Sequence, residues 1–193
     1  MNKRKYRDVV RLCMACLFFP IYIPHYVATT REGKTIFSDL SSMKSKLNIR
    51  IPTWLCLLYF LHNDRYYRQL FYFRIGPVWA MLISWLHPGD KHFVISKNMT
   101  IGKGCLIAHP FATILNAESI GENFSCRHCT TLGAKENGRP VIGNNVYLGA
   151  SVTIIGHVHI GNNVVVGAGS VVVKDVPDNC VIAGNPAKVI KYL

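Results

Sequence analysis

Histidine is the side chain best suited to take up and return a proton near neutral pH, and this chain has eight. His109 is singled out because it stands where a regular spacing of apolar residues slips, and a slip re-aims side chains. A histidine so placed suits a general base that takes the proton of a hydroxyl. Eighteen residues after His109 comes Arg127, and nineteen after it comes His128. An arginine there can hold a carboxylate, a phosphate or a hydroxyl, so Arg127 and His128 are candidate substrate-binding residues. His157 and His159 flank a single valine. Strand alternation points both outward, toward solvent or another subunit. Zinc would need three converging histidines, and only His109 and His128 are spaced to meet, so no metal site is expected. The cysteine pairs Cys13/Cys16 and Cys126/Cys129 lack ribbon or finger spacing. They read as ordinary buried thiols.

The element that positions these residues is a repeat. From Ile142 an aliphatic residue recurs every six positions: Ile142, Leu148, Ile154, Ile160, Val166, Val172. The following position is glycine in four of those six cases. A second aliphatic column, Val146, Val152, Val158 and Val164, runs two residues ahead of the first. Earlier the same period reads Ile95, Ile101, Ile107, then Ile114, Ile120, Cys126, Leu132. It slips by one residue between Ile107 and Ile114 and gains four before Ile142. A period of six does not fit a helix, whose apolar stripe returns at three and four. It fits short parallel strands joined by tight corners, three to a coil, each sending one aliphatic side chain inward. Stacked coils share one apolar column, so no coil is stable alone. A coil is then eighteen residues long, which brings Arg127 and His128 beside His109. The loop Ala134–Pro140 breaks the coil and carries Lys135, Glu136 and Arg139.

The chain has 193 residues, half of them hydrophobic and 17% charged, which excludes a disordered or coiled-coil protein. Its net charge of +12 favours anionic partners. Residues 1–92 carry 14 basic and 5 acidic groups, and residues 93–193 carry 8 and 5. Two segments are therefore expected: an α-helical one over 1–92 and a repeat domain over 93–193. The basic half has no nucleic-acid-binding signature, so no nucleic acid is expected as a partner. Seven unpatterned cysteines and no clear leader cleavage site suit a reducing, cytoplasmic compartment. Leu12–Thr30 has no charged residue apart from His25 and follows five basic residues. Pro20 and Pro24 should break a spanning helix there. Residues 1–30 therefore suit contact with the inner face of the cell membrane. The apolar runs Ile51–Leu61 and Pro77–Leu86 are too short to span and read as core helices.

Residues 93–193 resemble the hexapeptide-repeat acyltransferases, through the repeat and through the ending from Gly167-Ala-Gly-Ser to Ile182-Ala-Gly-Asn-Pro-Ala-Lys-Val-Ile190. Within that family, Ile101–His109 and Ile120–Gly133 are similar to the serine acetyltransferases, as more loosely is Phe71–Gly76. The resemblance implies a mainly β fold, a left-handed parallel β-helix behind a helical segment, assembled as a homotrimer. It implies acetyl-CoA as acyl donor and His109 as the catalytic base. Gly149, Ala150, Gly167 and Ala168 match positions where the cofactor arm meets backbone, and Lys174 and Lys188 match basic positions near its phosphates. The loop 134–140 matches one that reaches a neighbouring subunit. Three charged positions of the serine enzymes are absent. Val94 stands for the acid behind the histidine, Ala108 for the acid that binds the serine amine, and Gly138-Arg139 for an Arg-His pair before Pro140. The helical acid of those enzymes has no clear counterpart, although Asp64 lies nearby. Without those charges a zwitterion is poorly compensated. The pattern is similar to relatives associated with surface polysaccharide synthesis, which implies a sugar hydroxyl as acceptor. Serine O-acetylation is the alternative, and a non-catalytic β-helix scaffold a remote one.

Overall fold

The computed structural model describes residues 3–47, 49, 51–136 and 138–193. It forms two compact units, Met1–Asp90 and Lys91–Leu193. The first holds α1 (Lys3–Leu17), α2 (Phe19–Leu47), α3 (Thr53–Asn63), α4 (Arg65–Ile75) and α5 (Pro77–Ile83). α2 is kinked at Glu32 and so reads as two segments. It also runs through Pro24. Pro20 is its second residue, where a missing N–H costs little. The break falls instead at Phe18, where α1 and α2 bend by 82°. Asp64 accepts hydrogen bonds from the amides of Tyr66 and Tyr67 at 2.9 and 3.0 Å and so caps α4. Gly76, with φ +84°, ends α4, and Pro77 starts α5.

The core of this unit is built from α2, α3 and α4, with Ile36, Leu40, Leu57, Leu61 and Phe71 buried. α3 is the core helix expected over 51–61. The second apolar run is not: α5 buries only Ile83 and exposes Val78, Met81 and Leu82. Its two turns offer a single side to α4. Inside the unit lies a polar cluster. Tyr72 donates its hydroxyl to the His87 carbonyl (2.5 Å) and therefore accepts from His25 Nε2 (3.0 Å). Burial favours the neutral form of His25, whose Nδ1 is itself buried. The Tyr22 hydroxyl bridges Nδ1 of His62 (3.0 Å) and of His87 (2.6 Å), donating to one and accepting from the other. Burial, aided by the charge of Arg68, lowers His87 to a pKa of about 4. Burial, with a further push from His87, lowers His25 to about 4.

The second unit is a left-handed β-helix of about five turns. Its first face holds Phe93–Ile95, Thr113–Leu115, Thr131–Gly133, Thr153–Ile155 and Val171–Val172. Its second holds Thr100–Ile101, Ser119–Ile120, Val141–Ile142 and His159–Ile160. Its third holds Leu106–Ile107, Ser125–Cys126, Tyr147–Leu148, Val165–Val166 and Cys180–Gly184, on which Ala187–Tyr192 folds back antiparallel. The six-residue columns are buried, with one correction. Thr113 and Leu115 are fully buried, while Ile114 is 43% exposed. Register pairs Leu115, not Ile114, with Leu132. The slip is thus two residues, taken up in the corner His109–Ala112, and the period recovers because Ile120 follows Leu115 by only five positions.

One corner is held by stacked asparagines. Asn123, Asn145, Asn163 and Asn179 all have φ near +55°, a region asparagine tolerates. Their amides bond rung to rung at 2.9, 2.9 and 2.8 Å. Among the described residues none of the seven cysteines forms a disulfide. Cys126 is buried, and burial pushes its thiol up to about 12. Cys13 and Cys16, expected as buried thiols, are instead exposed, because α1 turns that side to solvent.

Candidate active site

His109 sits on the corner that leads from the third face to the first. Its φ of +52° is unusual for a residue with a Cβ, and Ala112 at the far side of the same turn has φ +51°. The Phe111 amide donates to the His109 carbonyl at 2.8 Å, which draws the turn tight and leaves the imidazole exposed. The ladder continues past the strands: Ala108 N to Cys126 O at 3.0 Å, Ser151 N to His128 O at 3.0 Å, Gly169 N to Ala150 O at 2.8 Å. Carrying each register along this corner aligns His109, His128, Ala150, Ala168 and Gly184 on successive coils. Ala108, Arg127, Gly149, Gly167 and Ala183 form the adjacent row. Six of the candidates, His128, Arg127 and the four small residues, thus share one ridge with His109.

Arg127 is half-buried and oriented. Its Nε donates to the Tyr147 hydroxyl at 2.6 Å, and its guanidinium lies 5.9 Å from the tyrosine ring centroid. The terminal nitrogens are then the donors left for a ligand. Sequence reading missed Tyr147. The signal was present, since four added residues make the coil offset twenty-two and set Tyr147 opposite Ser125.

The small residues differ in meaning. A Cβ on Gly149 would stand 2.6 Å from Ala168 N, and one on Gly167 would stand 2.8 Å from Ala183 Cβ. Coil stacking alone demands glycine at both. Ala168 is exposed and Ala150 half-buried, and with Gly184 they leave a strip free of long side chains below His128. Such a strip fits a thin, extended arm. Lys188 pairs across from Ala183 and lies on the same third face. Lys174 follows the strand Val171–Val172 and lies on the corner between first and second faces, away from the ridge. Glu118 lies on that corner too, one strand beyond the ridge.

Apolar residues lie on the corner of His109 and on the first face to which it leads. Phe111 is 51% exposed with its ring 5.5 Å from that of His92. Val94 and Ile114 are register partners, both exposed. Asp64 is spent as the cap of α4. In the loop, Lys135 and Gly138 exchange two backbone bonds, and Arg139 donates to the Asn98 carbonyl at 2.7 Å. His157 and His159 are exposed, their rings edge-on at 5.5 Å. Among the described residues no three His, Cys, Asp or Glu side chains are grouped to hold a metal ion.

Residues 139–174 match the family model described as bacterial transferase hexapeptide (six repeats). The repeat half of this chain is similar to the hexapeptide-repeat transferases. That half is 45% identical over 98 residues to serine acetyltransferase 4 of Arabidopsis thaliana, a match covering 48% of this chain and 28% of the plant protein. It is 44% identical over 101 residues to the putative colanic acid biosynthesis acetyltransferase WcaB of Escherichia coli, covering 50% and 62%. The match thus spans less than two thirds of either relative. Serine acetyltransferase of Neisseria gonorrhoeae in complex with serine superposes with a TM-score of 0.69 at 27% identity, over 90% of this chain and 74% of that one.

Proposed function

We propose that this protein is an acetyl-CoA-dependent O-acetyltransferase of the serine acetyltransferase type, and that its acceptor is a sugar hydroxyl of a surface polysaccharide or its precursor. The observation that carries the reading is His109, exposed on a strained turn at the head of a ridge of small residues, with Arg127 beside it. His109 takes the proton from the acceptor hydroxyl as the oxygen forms its bond to the acetyl carbon. The carbon–sulfur bond then breaks, and His109 returns the proton to the departing thiolate. Arg127, held by Tyr147, donates to the oxyanion or to the acceptor. The donor supplies an activated acetyl thioester. Ala150 and Ala168 form the strip along which its arm lies, and Lys188 meets its phosphates. Assembly as a trimer, which encloses such a strip between neighbouring coils, is part of the proposal.

The sugar acceptor is supported by what surrounds His109. Val94, Ala108, Phe111 and Ile114 are apolar, whereas an amino acid would need carboxylate and cationic partners. A sugar offers hydroxyls for Arg127 and C–H faces for Phe111. Serine O-acetylation is the second reading, favoured by the identity to the plant serine enzymes. Thiol release from acetyl-CoA decides between them, tested against L-serine and a panel of nucleotide- and lipid-linked sugars. Turnover on a sugar and none on L-serine is expected. Turnover on L-serine alone transfers the protein to the second reading. His109→Ala should cut turnover by about 10²–10⁴-fold while CoA still binds. Unchanged turnover in that variant removes His109 from the chemistry.

A further inference from the structure

We propose that α1 is an amphipathic anchor that lies on an anionic membrane surface. The helix joins its unit through one narrow side. Ala15 is fully buried, and Asp8 accepts from the Tyr59 hydroxyl of α3 at 3.3 Å. At 100° per residue the opposite half of the cylinder carries Val9, Val10, Cys13, Met14, Cys16 and Leu17. All six are exposed, Leu17 by 71%. A water-soluble surface helix does the reverse and turns its apolar side inward.

Charge names the partner. Lys3, Arg4, Lys5 and Arg7 crowd the first turns of α1, with no acid in the first. A helix N-terminus already carries about half a positive charge, so cations there repel it. An anionic surface relieves that repulsion and accepts the apolar face at the same time. A second copy of this basic helix would add its own positive charges instead. The chain's direction also fits a surface rather than a crossing. No single described helix is long and apolar enough to span, and the stretch Arg7–Leu17 with Phe19–Thr30 qualifies only as a pair bent by 82°. The bend turns α2 away from the plane in which α1 lies.

The test is co-sedimentation of the full-length protein with vesicles, either phosphatidylcholine alone or phosphatidylcholine with one quarter phosphatidylglycerol. Wild type should pellet with the anionic vesicles, bind neutral ones at least about tenfold more weakly, and detach as salt is raised. Met14→Glu with Leu17→Glu should abolish pelleting. Replacing Lys3, Arg4 and Lys5 by Gln should erase the preference for anionic lipid. Retained helical circular dichroism and thiol-release activity certify that the variants fold. The idea is overturned by wild type that stays in the supernatant with anionic vesicles. It is equally overturned if Met14→Glu with Leu17→Glu leaves binding unchanged, or if that variant instead splits a larger soluble assembly, which assigns the face to a second copy. None of these outcomes bears on the acceptor.

Discussion

In the proposed reaction Arg127 acts from the position in which Tyr147 holds it. Losing that 2.6 Å bond frees a long side chain with about 2 kcal/mol of rotamer entropy. Tyr147→Phe should therefore raise the acceptor KM several-fold to about tenfold while kcat falls less, and steady-state kinetics will show the split. His109, Arg127 and His128 could be read from the sequence because the period itself states which residues share a corner. Tyr147 was harder to read, because its partner lies across an interrupted coil whose four added residues must be counted before the register shows. The exposure of Cys13 and Cys16 depended on which side of α1 faces its neighbours, which periodicity alone leaves open. The histidines of the helical unit make a second prediction. His25 and His87 are neutral in the fold, with pKa values of about 4 against 6.5 for a free histidine. As pH falls below 6.5 the unfolded chain binds protons that the folded one refuses, so stability is complete above that pH and declines toward 4. Buried His25 alone should cost on the order of 2 kcal/mol by about pH 4.5, and half-exposed His87 less. Urea unfolding followed by circular dichroism between pH 7 and 4.5 measures it. A flat midpoint across that range would falsify the assignment.

At the scale of elements, the informative one is the widened corner at His109. The repeat announced a slip of one residue, and the chain takes two. Counting spacings cannot tell Ile114 from Leu115 when both are aliphatic. The strand decides it, since alternation buries Thr113 and Leu115 together and turns Ile114 out. Leu115→Ala should cost about 2–5 kcal/mol, and Ile114→Ala less than about 1 kcal/mol. Thermal melts of the two variants discriminate them. α5 shows a different limit. Its sequence is as apolar as a core helix, but it is too short to be enclosed. Length and neighbours, not composition, set its exposure.

Across the whole molecule, two architectures carry two different charge balances, and the asymmetry was plain in the sequence. The coils were legible because each repeats the same solution. The helical unit was not, because its buried Arg74–Asp39 pair and its tyrosine–histidine cluster join residues far apart in the chain with no period to reveal them. The tail that folds back on the last coil has one more consequence. A parallel stack ends in a row of unsatisfied amides and carbonyls, open to any extended segment that arrives. Here Ala187–Tyr192 takes that row in the opposite direction, with a bulge at Val181–Ile182 and lysines at 188 and 191 facing water. Reversal of direction breaks the parallel run of the third face, and the edge that results is bulged and lined by lysines, which disfavours pairing with another extended segment there. The same six residues bring Lys188 onto the third face.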